Sequence, residues 1–390
     1  MALLQRLLVA LLRVLVAGEH AAGDAMPSPA SGGGGAAVNV EARYARVFCF
    51  GNSLTDTGNN PLLPATAGGP STSPPYGMTF FHRPTGRSSD GRLLIDFIGI
   101  PTPYLAGKTA ADLLAGTNFA VGGATALEPA VLARMGIVSA VPVSLSNETR
   151  WFQDALQLLA SSINARRRIA ETSLFFFGEI GVNDYFLALA SNHTVEQAAA
   201  TLVPDIVGVI RSAVIDAIVA GARTVVITGM IPLGCEPQLL ALFPAGSAAD
   251  YDPDTGCNAR FNKLAEVHNR ELTRMLRQLR RAERLGGPKI SYGSSFGDTP
   301  LAACCGGGGN PYNFDFAAFC TLRASTLCAD PSKYVSWDGI HYTEAVNKFV
   351  ARSMLRRALI PMPKPNPSLS MPLSSSREHT GQETSRELAT

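Results

Sequence analysis

The sequence predicts an α/β fold built on a mostly parallel sheet with helices on both faces. Three observations predict it. Short apolar runs alternate along the chain with long stretches of helical periodicity. The apolar runs are unbroken, as expected of strands buried on both faces. Hydrophobic residues make up 46% of the 390 residues and charged residues 16%, ample for one large core, although the length alone would also allow two or three domains.

The elements follow in order. Residues 1–23, "MALLQRLLVALLRVLVAGEHAAG", have the basic start, apolar run and small residues of a secretory signal. Arg13 interrupts the run, and the absence of acid before Glu19 also suits an organellar transit peptide. The uninterrupted apolar run is too short to span a bilayer, and no other segment has the length and apolarity to do so. Residues 24–39 form a flexible lead-in rich in Ala, Gly, Ser and Pro. A single domain is expected over residues 40–361, without internal repeats, followed by a disordered tail at 362–390 that lacks apolar periodicity.

Within the domain, "RVFCF" (46–50) runs into Gly51 as a buried strand. A helix is expected over 149–170, with Trp151, Phe152, Leu156 and Leu159 on one side. "SLFFFG" (173–178) is a second strand. Helical spacing of Val203, Ile206, Val207, Ile210, Val214 and Ile218 predicts a helix over 196–220, stopped by Gly221. A third strand is expected at 222–230 and a helix at 258–285, burying Phe261, Leu264, Ala265, Leu272, Met275, Leu276 and Leu279. Gly286-Gly287-Pro288 ends that helix, and "KISYG" (289–293) is a fourth strand. Sheets of this kind place ligands at the carboxyl ends of their strands. Ser53 lies just past the first strand and Asn183 just past the second.

A serine hydroxyl is a weak nucleophile until a base takes its proton, usually a His held in one tautomer by a carboxylate. Of the six histidines, His20 and His379 lie in the terminal segments. His193 sits in a glycosylation sequon, and His268 falls inside a long helix, suiting a packed or surface role. "SWDGIH" (336–341) puts Asp338 three residues before His341 in a Gly-bearing loop, close enough for the carboxylate to reach the imidazole. Taken alone, such a loop is more often an ordinary solvated turn. In "GEIGVND" (178–184), the Asn183 amide could face an oxyanion, or merely stabilise a turn. In "NFAVGGATAL" (118–127), Gly122-Gly123 allows close backbone approach to a ligand, or simply a tight turn.

Other signals are negative. Gly107-Lys108-Thr109 is not a phosphate loop, because position 102 is Thr where Gly is required. Gly306 to Gly309 lacks the following Lys and hydroxyl residue. Thr55 excludes a G-x-S-x-G elbow around Ser53. Net charge is +2 with no basic block inside the domain, which argues against nucleic acid. The seven cysteines, Cys49, Cys235, Cys257, Cys304, Cys305, Cys320 and Cys328, form no CxxC and have no zinc-finger spacing to His. They are either buried thiols or two or three disulfides with one thiol left over, for which Cys49 in its strand is a candidate. The sequons at Asn147 and Asn192 tilt toward secretion.

In order, "FGNSLTDTGN", "NFAVGGATAL", "GEIGVND" and "SWDGIHYTEA" resemble the blocks of the plant GDSL esterase/lipase family, the SGNH hydrolases. "PTGRSSDGRLLIDFI", "GMIPLGCEP" and "CCGGGGNPYNF" are supporting matches, and the resemblance spans about residues 46–355. It implies a flavodoxin-like three-layer α/β/α sandwich and hydrolysis of carboxylic esters. It implies Ser53 as nucleophile, His341 as general base and then acid, and Asp338 as the residue orienting His341. The oxyanion would meet the Ser53 amide, the Gly123 amide (Gly122 is the alternative) and the Asn183 side chain. It implies no metal or organic cofactor, and a small-molecule, lipid or acetylated-carbohydrate ester as substrate. No nucleic-acid partner and no stable membrane insertion are expected. The location implied is extracellular, or alternatively an endomembrane lumen or organelle. An acetyl-type esterase is favoured over a fat lipase, since nothing marks an interfacial lid. An acyltransferase using the same triad, or a non-catalytic protein keeping the fold, are the alternatives.

Three departures from the family pattern stand out. Asn52 occupies the usual Asp position before the serine. The segment between Ser291 and Cys304 is short, with Tyr292-Gly293-Ser294 where Tyr-Ala-Asp is usual. Arg13 disturbs the leader.

Overall fold

The computed structural model describes residues 44–107, 109–279 and 300–358. The expected leader, lead-in and tail, the strand at 289–293 and the last turns of the helix expected to reach 285 lie outside the described residues. Five strands form one sheet: β1 (Arg46–Phe50), β2 (Thr102–Pro103), β3 (Gly116–Asn118), β4 (Ser173–Phe177) and β5 (Thr224–Ile227). Their spatial order is β2-β3-β1-β4-β5, and every neighbouring pair is parallel.

From β1 the chain goes to the edge strand β2, comes back beside β1 as β3, and then crosses to its other side as β4. β1 therefore flanks the point where the winding reverses, the place where sheets of this kind take ligands at the carboxyl ends of their strands. Ser53 follows β1 at that end. The sheet is flanked by helices, among them Leu145–Leu159, Val195–Ala220 and Ala259–Leu279. A phenylalanine core joins the layers. Phe48 packs edge-on to Phe152 at 5.2 Å, and Phe50 stacks on Phe177 at 4.5 Å.

The expected strands at 46–50 and 173–178 occur almost residue for residue. The third strand is shorter than expected. The helix at 196–220 begins one residue earlier, at Val195, because Thr194 and Gln197 form a reciprocal cap, and it ends at Gly221 with φ +120°. The single helix expected over 149–170 is in fact two, Leu145–Leu159 and Ile163–Glu171. Ala160 takes an extended conformation, and the Ser162 hydroxyl accepts the Ala165 N–H at 3.2 Å to start the second helix.

A second region is built differently. Between residues 300 and 343, regular structure is limited to a two-residue ribbon, β6 (Cys305–Gly306) against β7 (Thr326–Leu327), and short 3₁₀ turns. Disulfides join Cys304 to Cys328 and Cys305 to Cys320, and a third joins Cys235 to Cys257. Cys49 is the buried free thiol.

Candidate active site

The turn after β1 is held from below by buried side chains. Gly51 has φ +138°, a conformation that favours glycine, and its N–H donates to Glu148 Oε2 at 2.8 Å. Asn52 is fully buried. Its Oδ1 accepts the Leu54 N–H at 3.0 Å, and its Nδ2 donates to Glu179 Oε2 at 2.6 Å. The Asn52 carbonyl accepts the N–H groups of Thr55 and Asp56 at 3.0 and 2.9 Å. Ser53 stands at the outer corner of this turn, partly exposed.

Three far-separated segments meet at Ser53. The Ser53 hydroxyl lies 2.8 Å from His341 Nε2, and His341 Nδ1 lies 2.7 Å from Asp338 Oδ2. With Nδ1–H donating to the carboxylate, Nε2 is left as the acceptor facing the serine. Asp338 Oδ1 accepts the N–H groups of Ile340 and His341 at 3.0 and 2.9 Å, which closes the loop on itself. Burial of Asp338 would push its carboxyl up. The charge of His341 and the hydrogen bonds from His341, Tyr76 and Ile340 outweigh that and hold it below the usual carboxylate value.

The Gly122-Gly123 segment is tied to the serine turn through Asp56. One Asp56 oxygen accepts the N–H groups of Gly58 and Asn59, and the other those of Asn60 and Gly122, all within 2.8 Å. Asp56 still sits above its ordinary value, because burial exceeds the effect of the four amides. The Gly122 N–H is thus committed to Asp56. Among the described residues, the N–H groups of Ser53 and Gly123 meet no acceptor. The structure therefore favours Gly123 over Gly122 as the amide open to a ligand.

Asn183 lies in the first turn of the Val182–Ala190 helix, not in an isolated turn. Its Nδ2 donates to the Ala124 carbonyl at 2.8 Å, one residue beyond Gly123, leaving its second N–H. Next to it, Asp184 accepts the N–H groups of Ala126 and Leu127 at 2.8 and 3.0 Å. The helix start therefore anchors the glycine loop. Burial pushes Asp184 up to about 7 against these two bonds.

Two other described histidines have other partners. His268 is buried and hydrogen-bonded to the Tyr185 hydroxyl at 2.9 Å, and burial lowers it to about 4, a packed neutral ring. His82 is exposed and its Nδ1 lies 3.1 Å from the Met78 carbonyl. The two sequons differ. Asn192 is exposed, whereas Asn147 is half-buried with its Oδ1 bonded to the Ser144 N–H and hydroxyl, both at 2.9 Å.

Several supporting groups had no local signal in the sequence. Tyr76 donates to Asp338 Oδ2 at 2.7 Å across a separation of 262 residues. Glu236, pushed up to about 8 by burial, accepts from the Tyr342 hydroxyl at 3.0 Å. Glu148, Glu179 and Asp184 are likewise legible only once the loops are folded together.

A hydroxyl aligned on an imidazole that is itself aligned on a buried carboxylate, past the carboxyl end of a strand in a parallel sheet, is the arrangement of a serine hydrolase. The family described as GDSL-like Lipase/Acylhydrolase matches residues 47–354. Similar proteins from Arabidopsis thaliana include GDSL esterase/lipase At2g27360, 41% identical over 335 residues covering 80% of this chain and 84% of that one. GDSL esterase/lipase At1g28590 is 39% identical over 340 residues, covering 80% and 82%. GDSL esterase/lipase At1g28610 is 39% identical over 337 residues, covering 80% and 85%. The chain belongs to the GDSL esterase/lipase family of ester hydrolases. Its three disulfides indicate an oxidising compartment. No described helix is long and apolar enough to cross a membrane.

Proposed function

We propose that the protein hydrolyses carboxylic esters of small, acetyl-type or lipid acids through an acyl-enzyme on Ser53. The observation that carries this reading is the continuous line from Ser53 Oγ to His341 Nε2 and from His341 Nδ1 to Asp338, at 2.8 and 2.7 Å. Ser53 attacks the ester carbonyl as His341 takes its proton. The tetrahedral oxyanion is received by the Ser53 and Gly123 N–H groups and the Asn183 amide. One such donor is worth about 3–4 kcal/mol in the transition state. His341 then protonates the departing alcohol, and water activated by the same imidazole releases the acid.

The same reading assigns residues 1–23 to a signal peptide, 40–361 to the hydrolase domain and 362–390 to a tail, with the mature protein extracellular. Turnover of p-nitrophenyl acetate, butyrate and a long-chain ester by wild type and Ser53→Ala tests it. Loss of the hydroxyl from a working triad should lower kcat by ~10⁴–10⁶. Equal rates for the two proteins would remove Ser53 from the mechanism. Product analysis with an alcohol present separates hydrolysis from acyl transfer, which the same triad could also perform.

A further inference from the structure

We propose that Tyr76 is a positioning residue of this site, its hydroxyl fixing the Asp338 carboxylate through the same oxygen that orients His341. The inference rests on the triad reading above and adds a fourth member to it. Tyr76 is 2% exposed and Asp338 is fully buried. The phenol donates to Asp338 Oδ2 at 2.7 Å, the oxygen on which His341 Nδ1 also sits at 2.7 Å. Oδ1 is occupied by the Ile340 and His341 amides. A carboxylate with four donors cannot rotate about its Cβ–Cγ bond without breaking two of them, so the plane presented to the imidazole is set.

Packing alone does not call for this hydroxyl. The Tyr76 ring meets Trp337 edge-on at 5.7 Å, in a small core with Cys304, Cys305 and Cys320, and a phenylalanine would fill the same volume. Asp338 would retain three donors without it. What the hydroxyl adds is competition. It draws negative charge on Oδ2 away from the imidazole that shares that oxygen. Burial and the neighbouring Asp338 charge both push the phenol up, so it stays a donor across the working range. The other ionisable groups acting on Asp338 are His341 itself and Glu236, whose carboxylate is capped by the Tyr342 hydroxyl, with Glu179 beyond it.

The experiment is the pH dependence of kcat/KM for p-nitrophenyl butyrate on the full chain. It compares wild type, Tyr76→Phe, and a protein carrying 3-fluorotyrosine at position 76, which keeps the volume and makes a stronger donor. Removing the hydroxyl should move the acid limb upward by ~0.5–1 pH unit, because the imidazolium gains a less shared carboxylate. Fluorination should move it the other way. The plateau kcat of Tyr76→Phe should fall ~3–30-fold with KM unchanged, as for a group acting on the transition state. A purely structural tyrosine would lower the melting temperature and leave both limbs in place. Acid limbs coinciding in all three proteins would overturn the proposal, and if Tyr76→Phe does not fold, the fluorinated protein decides. The Ser53→Ala assay separates the two failures. Retained turnover there defeats the triad itself, whereas a dead Ser53→Ala beside unshifted Tyr76 proteins defeats only the role of Tyr76.

Discussion

The two halves of the site are held by different physics. Ser53, Gly123 and Asn183 hang from the ends of strands and a helix whose positions follow from a buried phenylalanine core. Asp338 and His341 sit in a segment with almost no regular structure, where two disulfides and the small Tyr76–Trp337 core replace the sheet. The link between the stapled segment and Asp338 is direct. The N–H groups of Cys304 and Cys305 donate to the carbonyls of Ser336 and Trp337 at 3.0 and 2.7 Å, so the bridged residues pair with the chain immediately before Asp338. The Ser53 half should therefore fail globally when it fails. The Asp338–His341 half should be able to fail alone.

The largest effect is expected in the sheet. Phe48 lies between Phe152 and Phe175 at 5.2 and 5.4 Å, and Phe48→Ala should destabilise the protein by about 3–5 kcal/mol in denaturant titration. Turnover per folded molecule should hardly change. A tenfold loss of turnover per folded molecule would mean that core and site are not separable in this way.

Next comes the stapled half. Replacing Cys305 and Cys320 together by Ala opens a bridge of sequence separation 15, worth about 3 kcal/mol in the chain-entropy account. Here activity should be lost at temperatures where the far-UV circular dichroism of the helices is still intact. Coincident loss of activity and helix signal would break the distinction between the halves.

A smaller, local effect is expected at Gly339, between Asp338 and His341. Its φ is +92°, and a Cβ there would lie 2.2 Å from Phe314 Cδ2. Gly339→Ala must displace either the ring or the loop that carries His341. A shift of 1 Å in that loop can cost about 100-fold in rate. The expected outcome is a kcat loss of ~10–100-fold with a melting temperature within a few degrees of wild type. Unchanged kcat would show that the base tolerates movement of its loop.

Legibility in the sequence followed the same division. β1, β4 and the Val195–Ala220 helix were readable because apolar runs, a cap and a glycine stop are local signals. Ser53, Asn183, Asp338 and His341 stood out as candidates because each lies in a compact motif at a strand end or loop, but their roles were implied only by the family resemblance, since the loops taken alone read as ordinary turns. The break at Ala160 to Ser162 was missed because apolar periodicity continues across it, while the Ser162 cap is a hydrogen bond that no pattern of hydrophobicity records. Tyr76 could not be found locally, since its partner is 262 residues away. The choice of Gly123 over Gly122 likewise needed the fold, because it depends on which amide Asp56 has already taken.

The smallest effect should come from Asn52→Asp, which restores the residue usual in the resembling family. Asn52 Nδ2 donates to Glu179 Oε2 at 2.6 Å, and neither atom is part of the Ser53–His341 contact. An aspartate in its place would face the Glu179 carboxyl, and one of the two must carry the proton. Burial already pushes Glu179 up to about 8, against the opposing hydrogen bonds from Asn52 and Val182, so Glu179 is the group that holds it. Losing the Asn52 donor and gaining a like charge both raise Glu179 further. A carboxyl whose folded value lies above its unfolded one gives stability that is full at low pH and lost as pH rises from the unfolded value through the folded one. In the wild type this window runs from the ordinary value of 4.5 to about 8, so the melting temperature should be higher at pH 5 than at pH 8. In Asn52→Asp the loss continues beyond pH 8, at up to about 1.4 kcal/mol per pH unit for the one proton. Turnover of the folded variant at pH 7 should stay within about threefold of wild type, because the serine turn keeps its shape. Melting curves at pH 5 and pH 9 decide the matter. A variant that tracks the wild type at both would mean that Glu179 does not share a proton with position 52. Activity gained by an otherwise inactive protein would instead give the aspartate a part in the chemistry.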